Sequence, residues 1–102
     1  MKMVTIYWRD IPSQVLVQKG RTKSKVLLPH RFQEAIDRAA MRAGKGSSHL
    51  YLEEWRRDTE QIEAADDLQA FSEETARQIA DRYDDEMLDK LIRNKGVMPE
   101  QG

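Results

Sequence analysis

The sequence predicts an α+β domain: a small, mainly antiparallel sheet of three or four strands with two helices packed on one face, in the order ββ(β)αβα. Three observations lead there. Period-two apolar patterns open the chain, an amphipathic helix of period 3.6 occupies its middle, and a longer helical pattern closes it. With 102 residues the chain has room for one modest core. Residues 1–95 are read as a single domain and 96–102 as a short flexible C-terminal tail.

Val4, Ile6 and Trp8 alternate with Thr5 and Tyr7, so one face of a first strand lies on a core. Arg9 to Ser13 breaks the pattern, and Pro12, with fixed φ and no N–H, suits a turn there. Gln14 to Gln18 reads as a second strand, with Val15 and Val17 on one side and Leu16 on the other. The two runs form an antiparallel hairpin. Lys19 to Ser24 is a polar loop, and Lys25 to Leu28 a short third strand.

Pro29 suits the first position of a helix, where its missing N–H costs nothing. Phe32, Ala35, Ile36, Ala39, Ala40 and Ala43 then follow helical spacing. This alanine-rich face allows close approach, and Gly44 supplies the left-handed cap. Residues 49–57 fit two patterns. Tyr51, Glu53 and Trp55 alternate with Leu50, Leu52 and Glu54 as in a strand, whereas Leu52, Trp55, Thr59 and Ile62 align as on a helix. The strand is preferred, because it gives the first hairpin a partner. Asp66 or Asp67 then caps a last helix, in which Leu68, Phe71, Thr75, Ile79, Tyr83, Met87, Leu91 and Ile92 keep approximate helical spacing to about Asn94.

Composition excludes several classes. There is no cysteine, hence no disulfide scaffold, thiolate nucleophile or cysteine-held metal. No apolar run is long enough to span a membrane and no export segment opens the chain, which places the protein in the cytoplasm with no membrane partner. The formal charge is only −1, yet it is segregated. Lys19 to Lys45 holds eight basic and two acidic side chains, while Glu53 to Lys90 holds fourteen acidic and five basic. Lys19, Arg21, Lys23 and Lys25 therefore form a candidate anion-binding loop for RNA, with Tyr7 or Trp8 as a stacking surface. The competing reading is intramolecular, the acidic helix steadying the basic loop.

Catalytic and metal sites find little support. His30 and His49 lack a second histidine at ligand spacing. Asp84-Asp85-Glu86 and Asp66-Asp67 read as solvated faces, because consecutive helical residues diverge. Ser47-Ser48-His49 places a hydroxyl beside an imidazole, but strand neighbours face opposite sides. No catalytic residue, metal or cofactor is assigned, and the protein is read as a non-enzyme. Trp8-Arg9-Asp10 and Trp55-Arg56-Arg57 each set an indole beside guanidinium groups, the residue types enriched at binding hot spots. Tyr7, Trp8, Arg9, Asp10, Trp55, Arg56 and Arg57 are the candidate partner-binding residues. The alternative is that both tryptophans are core.

The blocks Val4-Thr5-Ile6-Tyr7-Trp8-Arg9-Asp10-Ile11-Pro12, Leu28-Pro29-His30-Arg31-Phe32, Ala35 to Gly44 and Glu54-Trp55-Arg56-Arg57 resemble the small bacterial virulence factor domain family. That domain is also found within the larger conserved virulence factor C proteins. The resemblance runs to about Asn94 and brings no reaction, cofactor or catalytic set. In larger relatives the domain is joined to repeat or scaffold-type modules, which implies an accessory role and another protein as partner. Stand-alone members of that family lie beside corrinoid-dependent methyl-transfer genes, so the resemblance implies, as an alternative, an accessory to that chemistry.

Overall fold

Three consecutive antiparallel strands open the structure: β1 (Lys2–Trp8), β2 (Ile11–Lys19) and β3 (Thr22–Leu27). The structure, a computed structural model, describes residues 1–99, the side chain of Ser48 excepted. Helix α1 (His30–Arg42) and a single-turn helix α2 (Ser48–Leu52) follow, then β4 (Trp55–Gln61), α3 (Leu68–Arg82) and α4 (Asp85–Arg93). The strands form one antiparallel sheet in the order β3-β2-β1-β4. The fold is thus the expected α+β sheet with helices, and the described residues carry four helices where two were expected.

Both hairpins turn on two residues. Trp8 pairs with Ile11 across Arg9-Asp10, and Lys19 with Thr22 across Gly20-Arg21. The basic loop is therefore far shorter than the sequence suggested, and Lys23 and Lys25 belong to β3. Pro12 lies within β2 rather than in a turn. It sits at a bulge, where Ser13 is left over between the pairs Ile6–Gln14 and Tyr7–Pro12. β3 has already ended there, since its last pair is Gln14–Leu27, so a missing N–H is tolerated.

Val15, Val17 and Ser24 are buried on the face covered by α3. There the Ser24 hydroxyl lies 2.8 Å from that of Ser72 and donates to Gln69 at 2.7 Å. α1 packs on β2 and on α4, and its small Ala35, Ala39 and Ala40 are buried in that contact layer. It ends as expected. Gly44 at φ 71° follows Ala43, and the Gly44 and Lys45 amides donate to Met41 and Ala40, which closes the last turn.

Two expectations are corrected. Residues 48–52 are helical, and the strand begins at Trp55 and runs on to Gln61. Trp8 decides this: its indole N–H donates to the Tyr51 carbonyl at 2.8 Å, and its ring stacks on Tyr51. The last helix is two helices. Asp84 accepts from the Met87 amide at 2.9 Å and starts α4 afresh, with Asp85 and Glu86 in its first turn. Arg31 of α1 meanwhile donates to the freed carbonyls of Ala80 and Tyr83 at the end of α3.

Residues 94–98 lie against the β1–β2 turn, where a released tail was expected from residue 96. The Asp10 amide donates to the Gly96 carbonyl at 2.8 Å, and the Met98 amide to Asp10 at 2.6 Å. The rest of the expected tail, 100–102, lies outside the described residues. Among those described, no helix is long and apolar enough to cross a membrane.

Candidate functional site

Trp8 is fully buried, so its indole belongs to the core. The next residue, Arg9, turns the chain at φ 53°, a left-handed conformation that non-glycine residues seldom adopt. Neighbouring groups hold it there. Its amide donates to the Glu54 carbonyl at 3.0 Å, and its guanidinium reaches the Lys95 carbonyl at 2.9 Å and the Glu54 carboxylate at 3.3 Å. Arg56 donates to the Arg9 carbonyl at 2.8 Å and to Asp10 at 3.1 Å. Lys45 completes the cluster at 3.2 Å from Glu54. The Arg9 hydrogen bond first, with help from Lys45, holds the Glu54 carboxyl below its ordinary value.

Tyr7 lies half-buried with the Arg56 guanidinium 4.3 Å from its ring centroid. Burial is the main reason its hydroxyl is pushed upward, with Tyr83 and Asp58 adding to it. Tyr7, Arg9, Asp10 and Arg56 thus brace the turn, β4 and the segment after α4 against one another. Of the seven sequence candidates, Trp55 and Arg57 are left facing the other side of the sheet. Trp55 is half-buried, edge-on to Tyr51 at 5.7 Å, and Arg57 is exposed.

Strand register defines that second face, since paired residues point the same way and neighbours along a strand alternate. Its rows, from β3 across to β4, are Leu27–Gln14–Ile6–Arg57, Lys25–Leu16–Val4–Thr59 and Lys23–Gln18–Lys2–Gln61. Beyond the first row, Ile11–Trp8–Trp55 is covered by Tyr51 and Gly96. Ile6, Gln14, Trp55, Arg56 and Arg57 line an open groove of about 510 Å³. Gln14 Oε1 is sealed from solvent and meets no donor among the described residues. An unmatched buried acceptor costs about 1–3 kcal/mol.

The structure divides the basic loop of the sequence. Lys23 and Lys25 stand on the open face, where Lys2 and Arg57 join them, whereas Lys19 reaches back to the Ala65 carbonyl beside α3 at 3.5 Å. Arg21 is at the tip of the hairpin turn. Lys2, Ile6 and Gln14 escaped sequence reasoning, because the period-two pattern of β1 was read as laying Val4, Ile6 and Trp8 on the core, whereas only Trp8 joins the core cluster and Val4 and Ile6 stand on the open face. The histidines form exposed pairs within their own helices, His30 with Glu34 at 3.4 Å and His49 with Glu53 at 3.1 Å. Asp67 and Asp84 are helix caps, and the Ser48 side chain of the Ser47-Ser48-His49 set lies outside the described residues. Among the described residues, no three metal-ligating side chains come together.

A family model described as Virulence factor matches residues 6–92, most of the chain. Comparison with curated proteins and with solved structures finds no match.

Proposed function

The chain belongs to the virulence factor family, and we propose that it is a non-catalytic, cytoplasmic accessory domain that binds another protein through the open face of its sheet. One observation carries this reading. An antiparallel sheet packed on one face ordinarily presents polar side chains on the other, and here α3 covers one face while the apolar Ile6, Leu16, Leu27 and Trp55 remain partly or largely accessible on the other. Aliphatic side chains, an indole and a free guanidinium in one groove are the groups that interface cores use.

A nucleic-acid reading draws on Lys23 and Lys25 but finds its one partly accessible ring on this face among the described residues, Trp55, at the edge strand and away from them. On the open face the central strands present Val4, Ile6, Gln14 and Leu16, none of them aromatic, whereas sheets that bind single strands stack bases on aromatic rings. The test is capture by the tagged protein from nuclease-treated native lysate, comparing wild type with the double variant Lys25→Glu/Arg57→Glu. Both substituted side chains are exposed, so unchanged circular dichroism is expected. A nuclease-resistant protein should be retained by wild type and lost by the variant. Equal recovery by both would place binding elsewhere on the domain. Recovery that vanishes with nuclease, and that weakens steeply with salt, would favour RNA instead.

A further inference from the structure

The open face also describes its partner. Its centre is aliphatic: Val4 is only 5% exposed yet stands apart from the main core cluster, with Ile6 and Leu16 beside it by register. Its border is cationic. Lys2, Lys23, Lys25 and Arg57 all stand on this face, no carboxylate does, and none of the four has an ion-pair partner among the described residues. The acids of β4 have the opposite parity, since Asp58 pairs with Thr5 and Glu60 with Met3, on the α3 side.

We infer that this face receives an amphipathic helix of a partner protein, its apolar stripe bordered by aspartates and glutamates. The inference rests on the protein-binding reading above and adds the partner's chemistry. Four strands about 4.8 Å apart span about 14 Å, and three rows about 6.8 Å apart cover a similar length. A helix about 10–12 Å wide covers the aliphatic centre and leaves the cations along its flanks. At about 1.5 Å per residue, contact along the edge or the diagonal takes about 9–13 residues. The helix would cover the face that α3 leaves open, and its acidic borders would meet cations now unpaired. An added strand fits less well, because both sheet edges carry charged side chains: Lys23 and Lys25 on β3, and Arg56, Arg57, Asp58 and Glu60 on β4.

Carbodiimide coupling tests this directly, because it joins an amine to a carboxylate only at contact. The tagged full chain is incubated with nuclease-treated lysate, coupled, and the linked peptides are sequenced by mass spectrometry. The expected links run from Lys2, Lys23 or Lys25 to an aspartate or glutamate in a segment whose apolar residues recur at helical spacing. Lys23→Glu/Lys25→Glu should lower partner recovery about tenfold or more. Arg38→Glu/Arg42→Glu, on the exposed side of α1, should leave it unchanged. A protein captured through this face but linked by an extended or carboxylate-poor segment would overturn the acidic helix and leave protein binding standing. Links arising only from lysines elsewhere, or no nuclease-resistant protein at all, would bring down both readings.

Discussion

Gly96→Ala should be among the most damaging small substitutions in this domain, although it lies beyond the last helix. Gly96 sits at φ 87°, where a Cβ would lie 2.8 Å from Trp8 Cζ3 and 3.3 Å from Cε3. The ring cannot swing aside. It is fully buried, stacked on Tyr51, and tied by its N–H to the Tyr51 carbonyl. Left-handed strain costs an L residue about 1–2 kcal/mol, and forcing extra volume into a packed core costs about 1–3 kcal/mol. The sum, about 2–5 kcal/mol, is a large part of the roughly 5–15 kcal/mol that stabilises a domain. It corresponds to a fall in Tm of roughly 10–30 °C. Gly20→Ala supplies the control, because Gly20 has φ 60° with nothing within 4 Å of its Cβ. That variant suffers the strain, and shares the stiffened unfolded chain, without the clash. Urea unfolding followed by tryptophan fluorescence would measure both. Equal destabilisation by the two substitutions would show that the Trp8–Gly96 approach is not a tight contact, and the docking of residues 94–98 would lose its main argument.

Lys95, at φ 62°, occupies a left-handed position that glycine takes without strain, so Lys95→Gly should raise stability by about 1 kcal/mol; a lower melting temperature would contradict this. Asp84→Ala removes the cap that starts α4 and should cost about 1 kcal/mol, read from the urea midpoint, with Asp67→Ala at α3 as comparator. If Asp84→Ala has no effect, the cap does not set the break between the helices. Glu54 predicts a pH dependence. Its carboxyl is held below its ordinary value in the folded state because Arg9 and Lys45 favour the charged form, so its contribution is complete above the unfolded value and disappears as pH falls through the lower folded one. Glu54→Gln should therefore be less stable than wild type at pH 7, with the gap closing in strong acid. A gap that stays constant with pH would show that the ion pairs are not its source.

Period and punctuation carried most of the fold. The alternation of Val15, Leu16 and Val17 and the helical spacing from Phe32 to Ala43 translate directly into β2 and α1, because each pattern matches one backbone period. What escaped was settled by contacts distant in sequence. Residues 49–52 fit either period, and the indole of Trp8, more than forty positions earlier, takes the Tyr51 carbonyl and fixes a helical turn. Asp84-Asp85-Glu86 reads as a solvated helical face if the helix is assumed to continue. The same three residues are also a cap followed by an acidic first turn, and Arg31 tips the balance by donating to the Ala80 and Tyr83 carbonyls at the end of α3. The candidate site was half legible for a related reason: residue type marks Arg9, Asp10 and Arg56 as interface-like, but a turn held at positive φ needs the same guanidinium and carboxylate groups.

Arg56 and Arg57 show what separates the two uses. They are adjacent, identical in type and both exposed, yet strand parity sends them to opposite sides of β4. Arg56 pairs with Tyr7 in register and meets the Arg9 carbonyl, Asp10 and the Tyr7 ring. Arg57 pairs with Ile6, has no ion-pair partner among the described residues, and lines the open groove, which Arg56 borders as well. Arg56→Ala should accordingly cost about 0.5–2 kcal/mol, the worth of a hydrogen bond and a partly exposed ion pair. Arg57→Ala should change stability by less than about 0.5 kcal/mol while weakening partner capture. Urea unfolding and capture measured on both variants make the comparison. If Arg57→Ala unfolds the domain as readily as Arg56→Ala, parity does not divide structure from binding on this strand, and the open face loses its claim to be the functional one.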